Sequence, residues 1–340
     1  MPATTPRTLR GEVTARLIRA GIPVDEARLD AELLLREALG RWDRARLLAH
    51  DDHPLSAGEL ERLETLTARR AAREPMAYIL GRTEFWGLEF EVTPDALIPR
   101  PDTELLVETV RRLLPAARRQ PAPGEYLQQV VDVGTGSGCI AIALARELPG
   151  ARFSATDTSG AALALARRNA RRHGVAHRIA FLEAAFCGHA YDCDLIVSNP
   201  PYVPARDRDS LQPEVRDHEP AAALFAGEDG LAVIRQLVHR AWSDLGQGDG
   251  WLVFEFGFGQ ADAVRALLDT TPALAIVRES TVPDPDTADP DDDGSTEEYL
   301  VPVAQLLDRD HVVGRHRPWT DIEILDDLQG IPRVAVARKG

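Results

Sequence analysis

Cysteine is scarce in this chain. Three thiols, Cys139, Cys187 and Cys193, serve 340 residues, and no two are spaced as a CxxC pair. That excludes a disulfide framework, and a reduced, cytoplasmic protein is expected. The nine histidines show no metal-ligand spacing, so no metal site is expected. No run of about eighteen apolar residues exists, so no membrane partner is expected. The opening stretch MPATTPRTLRGEV lacks the apolar core of a secretory signal. Basic residues are outnumbered: 39 Lys and Arg face 54 Asp and Glu, a net charge of −15. Phosphate backbones repel such a chain unless it gathers a local basic patch. Its arginine clusters, Arg69-Arg70, Arg111-Arg112, Arg118-Arg119 and Arg167 to Arg172, fall in helical-looking segments, where solvated faces are expected. Naked nucleic acid is therefore disfavoured as a partner.

What remains is ordinary globular material, 44% apolar and 27% charged. Leu9, Val13, Leu17 and Ile18, then Leu29, Leu33, Leu34 and Ala38, recur at helical spacing. Ser56 followed by Glu59 matches a capping box. Residues 1–83 thus read as an all-helical unit. Phe85, Trp86, Leu88, Phe90 and Val92 suit a short hairpin, which makes 84–100 a linker. From 101 to 340 strands and helices alternate, the pattern of an α/β fold with a doubly wound, Rossmann-like sheet. The closing DIEILDDLQGIPRVAVARKG reads as two strands and an antiparallel finish. Residues 280–318 are an insert whose acidic run PDPDTADPDDDGSTEE, 283–298, reads as disordered. Asp289, Asp291, Asp293 and Gly294 begin an EF-hand pattern, but its twelfth position is Leu300 rather than Glu, so calcium is not expected.

Two stretches carry chemistry. In VVDVGTGSGCIAIALA a strand ends at Asp132-Val133, and Gly134, Gly136 and Gly138 lead into an apolar helix. Glycines serve where a backbone turns tightly and approaches a ligand, and a helix start offers free N–H groups. The G-x-G-x-G spacing differs from the dinucleotide fingerprint and favours a nucleoside or amino-acid ligand over a pyrophosphate. A plain strand–helix turn is the competing explanation. Asp157 ends the next strand, where an acid can accept hydrogen bonds from ribose hydroxyls, or merely cap the following helix. The second stretch is SNPPYVP, Ser198 to Pro204, placed directly after the apolar Leu195-Ile196-Val197. Prolines donate no backbone hydrogen bond, so this segment leaves the sheet and is held stiff.

Together these features resemble the class I S-adenosylmethionine-dependent methyltransferases over roughly Val130 to Phe256. NPPY resembles the motif of those that methylate planar nitrogens. The resemblance implies that Asn199 Oδ1 and the Pro200 carbonyl accept both hydrogens of a conjugated NH₂, while Tyr202 covers the planar group. Catalysis is then mainly orientation. EPMAYILGRTEFWGLEF, LIPRPDTELLVE, DAELLL, HEPAAAL and DLQGIPRVAVAR are similar to release-factor glutamine methyltransferases of the HemK type, outside about 280–318. The resemblance implies S-adenosylmethionine as cofactor, at Asp132, Gly134, Thr135, Gly136, Gly138, Asp157, Phe186 and Asn199. It implies a Gly-Gly-Gln glutamine of class 1 release factors as substrate, at Asn199, Pro200, Pro201, Tyr202 and Arg100, with the helical unit docking the factor. A monomer is expected.

Bland explanations stand beside these. Arg100 and Glu104 read equally as a helix-start ion pair, Phe85 and Trp86 as hairpin core, and Cys139 as a space filler. Family members carry an acid after the third strand; here Ala185 stands there, with Phe186 beside it and Glu183 the nearest acid. Three alternatives remain: an adenine-N6 methyltransferase on DNA or RNA, a methyltransferase of a ribosomal-protein glutamine, and a non-catalytic binding module.

Overall fold

The computed structural model describes residues 4–119, 126, 128–187, 192–246, 250–270, 274–278, 298–302 and 319–339. Five helices come first: α1 (Pro6–Arg19), α2 (Val24–Ala38), α3 (Arg44–Ala49), α4 (Ala57–Ala71) and α5 (Met76–Leu80). The Ser56–Glu59 capping box forms at the start of α4, satisfying backbone donors that a helix end leaves bare. Leu17, Leu34, Leu35 and Leu47 are fully buried between the helices. Ile18 and Leu29 are corrections to the expected stripe, being 39% and 59% exposed. On α2 the inward face runs through Ala27, Asp30, Ala31, Leu34, Leu35 and Ala38 instead. Small alanines leave room there, and Asp30 enters the core with a charged partner.

That partner is Arg70, and it corrects the expectation of a solvated arginine face. Arg70 is 1% exposed. Its Nε donates to Asp30 at 2.6 Å, and its terminal nitrogens donate to Glu26 at 2.5 Å and Glu214 at 2.7 Å. Arg73 binds the other Glu214 oxygen at 2.6 Å. In the other clusters Arg111, half-buried, pairs with Glu147, and the exposed Arg112 and Arg168 pair with Glu323 and Glu91.

A hairpin follows, β1 (Arg82–Phe85) against β2 (Leu88–Glu91). Its two-residue turn, Trp86-Gly87, has positive φ at both positions, as a primed turn requires. Phe85 and Phe90 bury their rings edge to face. Trp86 donates its backbone N–H to Glu104 at 2.7 Å and its indole N–H to Glu147 at 3.1 Å. The aromatic pair is hairpin core, as read.

The α/β region begins with α6 (Glu104–Leu113), β3 (Gln128–Val133), α7 (Cys139–Glu147), β4 (Ala151–Asp157), α8 (Gly160–Arg172) and β5 (Ile179–Glu183). After these come β6 (Leu195–Ser198), α9 (Pro213–His218), α10 (Ala232–Asp244), β7 (Trp251–Glu255) and α11 (Ala261–Thr270). The remaining strands are β8 (Leu274–Arg278), β9 (Glu298–Pro302), β10 (Thr320–Asp326) and β11 (Pro332–Arg338). Among the described residues seven strands form one sheet in the order β10-β11-β7-β6-β3-β4-β5. The five from β7 to β5 are parallel, and β11 and β10 close the edge antiparallel. The central strands are buried on both faces, with hydrophobic clusters above and below. Strand order reverses between β3 and β6, the switch point at whose carboxyl ends ligands bind in such sheets.

One strand pair went unread. β8 and β9 pair antiparallel as a separate ribbon, so the stretch 280–318 includes a strand at Glu298–Pro302. Composition argued only about the acid-rich residues, while Tyr299, Leu300 and Val301 are apolar and strand-prone. The acidic run at 283–297, with Asp289, Asp291, Asp293 and Gly294, lies outside the described residues.

Candidate active site

The paired ends of β3 and β6 set the site. Val133 and Ser198 are register partners, tied further by Ser198 Oγ donating to the Val133 carbonyl at 2.7 Å. Gly134 and Asn199 are the next residues on each strand, so glycine loop and NPPY segment emerge side by side.

The glycine loop divides into an open and a packed half. Gly134, at φ +73°, is exposed, and nothing lies within 4 Å of where a Cβ would stand. Gly138, at φ +82°, is buried; a Cβ there would lie 3.0 Å from both Ala166 Cβ on α8 and Ile142 Cδ1. One glycine leaves room for a ligand and the other lets two helices meet. Gly138→Ala is expected to cost about 2–4 kcal/mol, from the left-handed backbone and the overpacking together. Urea unfolding of the variant checks this.

Asp157 holds the loop from β4. Its Oδ2 accepts from Gly136 N and its Oδ1 from Ser159 N, both at 2.9 Å, and each oxygen keeps a further lone pair. The cap of α8 is Ser159, not Asp157. Glu183 leans over the start of α8, its Oε2 2.9 Å from the Cβ position of Gly160. Ala185 is exposed, and Phe186 is half-buried with φ +54°.

Asp132 is a correction. It was read as lining the cofactor site, but it is wholly buried. Its Oδ2 accepts from Thr135 Oγ1 at 2.7 Å and Ala141 N at 3.1 Å, while Oδ1 has no partner among the described residues. It holds the loop from beneath. Burial, partly offset by those two donors, pushes its carboxyl up to about 7. The unfolded chain titrates near ~3.9, so the folded protein holds this proton more tightly. Stability from Asp132 is therefore greatest in acid and is lost as pH rises from about 4 to 7. Against Asp132→Asn, which cannot ionise, the wild type is expected to lose about 3 kcal/mol between pH 4.5 and 8. Urea unfolding of both proteins across that range measures it. Cys139 is likewise raised by burial, to about 12, and fills space as read.

In the NPPY segment Pro200 is buried and Asn199, Pro201 and Tyr202 are half-buried. Asn199 Nδ2 donates to Thr103 Oγ1 at 2.9 Å. Thr103 Oγ1 donates to Glu255 Oε2 at 2.8 Å, and Tyr202 OH donates to Glu255 Oε1 at 2.9 Å. Glu255 ends β7 and is 1% exposed; burial raises its carboxyl, and the two hydroxyl donors pull it back. Tyr202 is clamped at its backbone as well, its carbonyl accepting from Gln260 Nε2 at 3.0 Å.

Arg100 does not pair with Glu104, correcting the bland expectation. It binds Glu219, whose other oxygen accepts from Ile98 N at 3.1 Å, while Glu104 serves Trp86. The long turn from β2 brings Arg100 to the loop after α9. Ala96 in that turn lies 3.8 Å from the Cβ position of Gly136, so the turn covers the glycine loop. Thr103, Glu219 and Glu255 were missed as site residues. Thr103 and Glu219 lie inside the quoted stretches LIPRPDTELLVE and HEPAAAL, and Glu255 was signalled by a lone acid ending the apolar run Trp251 to Phe254.

Two family models match the chain, the PrmC N-terminal domain over residues 8–81 and the methyltransferase small domain over residues 103–214. The release factor glutamine methyltransferase of Geobacter sulfurreducens is 48% identical over 250 residues, covering 73% of this chain and 83% of that protein. That of Koribacter versatilis is 38% identical over 315 residues, covering 92% and 91%. A solved structure of a release factor-specific protein-(glutamine-N5) methyltransferase from Alicyclobacillus acidocaldarius is 27% identical, covering 74% of this chain and 99% of that one, with a TM-score of 0.35.

Proposed function

This chain belongs to the release factor glutamine methyltransferase family, and from that membership we propose that it methylates the side-chain amide nitrogen of the Gly-Gly-Gln glutamine of class 1 peptide chain release factors. Gly134, Gly136, Asp157, Phe186 and Asn199 would hold S-adenosylmethionine, which would supply an electrophilic methyl group and depart as its thioether, with the amide nitrogen shedding one hydrogen as a proton. The fit rests on the open face at Gly134 and the spare lone pairs of Asp157.

A carboxamide nitrogen is a poor nucleophile because its lone pair is delocalised. Asn199 Oδ1 and the Pro200 carbonyl accept its two hydrogens and hold the nitrogen in place, which supplies orientation. As the nitrogen gains positive charge its hydrogens become more acidic. Both contacts therefore strengthen in the transition state, which is where binding accelerates reaction. Tyr202, fixed through Glu255 and Gln260, covers the amide. Arg100, pinned by Glu219, stands on the turn over the glycine loop, where it contacts the incoming loop of the factor.

The single observation that carries this reading is the Asn199 carboxamide, whose Nδ2 is engaged by Thr103 while nothing among the described residues donates to Oδ1. Tandem mass spectrometry of a purified class 1 release factor, incubated with the protein and S-adenosylmethionine, tests it. One added methyl group on that glutamine is expected. An unmodified factor beside a methylated nucleic acid or ribosomal protein would overturn it.

A further inference from the structure

The hydrogens of the Asn199 contacts can be placed by elimination. The Glu255 carboxyl accepts at both oxygens, from the Tyr202 hydroxyl at one and from the Thr103 hydroxyl at the other. A hydroxyl has one hydrogen. Thr103 gives its own to Glu255, so at its remaining contact, 2.9 Å from Asn199, it can only accept. The Asn199 atom there must be Nδ2. The reversed carboxamide would set two oxygens together with no hydrogen between them.

We infer that Glu255, acting through Thr103, is a positioning residue that fixes the Asn199 carboxamide with its oxygen toward the substrate, and thereby makes the site select a primary amide over a carboxylate. This rests on the reading that glutamine is the substrate. An oxygen at that place accepts from a glutamine NH₂ and meets only another oxygen on a glutamate. Glutamine and glutamate have nearly the same shape, so polarity must separate them. Reversing the Asn199 amide would exchange donor for acceptor and erase the distinction. The relay lies outside NPPY, with Thr103 standing 96 residues from Asn199 and 152 from Glu255.

The test compares binding of a class 1 release factor carrying glutamine with the same factor carrying glutamate at that position, together with kcat/KM on the glutamine form. Thr103→Val removes the hydroxyl in the same volume. Glu255→Gln can donate to Thr103, which frees the hydroxyl hydrogen and permits the reversed amide. In both, kcat/KM is expected to fall about 10- to 100-fold, and the preference for glutamine to shrink toward one. Thr103→Ser keeps the hydroxyl and is expected to restore both. If Thr103→Val and Glu255→Gln lose activity with the glutamine preference intact, the residues are merely structural and the inference fails. A Thr103→Ser variant that behaves like Thr103→Val also overturns it. A wild type that leaves the glutamine factor unmodified would instead overturn the function itself, so the two failures are distinguishable.

Discussion

Asn199→Ala is expected to lower kcat by about 10²–10³-fold while leaving the fold intact. The size follows from deleting one preorganised polar group at a reacting centre. Alanine takes away the oxygen that accepts an amide hydrogen, leaving the Pro200 carbonyl alone to orient the nitrogen. The loss falls on kcat more than on KM, because the contact strengthens as charge develops. Stability changes little. Thr103 gives up one accepted hydrogen bond but keeps its own hydrogen on Glu255, so no donor is stranded. The expected loss is within about 1 kcal/mol. Steady-state kinetics with a release factor, beside urea unfolding, separate these effects. A tenfold rise in KM with kcat unchanged would make Asn199 a docking residue instead.

Arg70→Ala has the largest expected effect on stability. The guanidinium is inaccessible and touches Glu26 and Asp30 on α2 and Glu214 on α9. Removing it leaves three carboxylates facing one another, two of them almost wholly buried. Stranding a buried charge costs about 3–5 kcal/mol, far more than the intact network contributes over an apolar replacement. Arg7→Ala is the control. Its pair with Asp51 has 70% of the arginine side chain in solvent, and no measurable change is expected. Because Glu214 belongs to the α/β region, Arg70→Ala also loosens the seat of the helical unit on α9. Urea unfolding followed by tryptophan fluorescence measures the loss. A cost below about 1 kcal/mol would mean that the carboxylates take up protons or find water without strain.

The charge balance of −15 could not tell which acid each arginine faces. Arg111, Arg112 and Arg168 each face an acid. Number alone could not have said so, since composition counts charges without matching them.

Short-range features were legible because their causes are short-range. The capping box at Ser56, the glycines at the end of β3, the apolar runs of β3, β4, β6 and β7 and the antiparallel finish of β10 and β11 each depend on residues within about a dozen positions. Steric limits on φ, helical periodicity and the obligation to pair backbone groups act on that scale. The NPPY segment was legible for the same reason, as a stiff, polar exit from a buried strand. What only the tertiary structure decided were the partners. Nothing near Arg70 in sequence names Glu214, 144 positions away. Arg100 chose Glu219 over Glu104, and Asp132 turned beneath the loop it was expected to line. The orientation of the Asn199 amide depends on Thr103 and Glu255, residues on other elements that meet only where the sheet reverses direction. Side chains with several possible partners are assigned by which backbones pass within about 3 Å, and only the packing of helices on the sheet sets that distance.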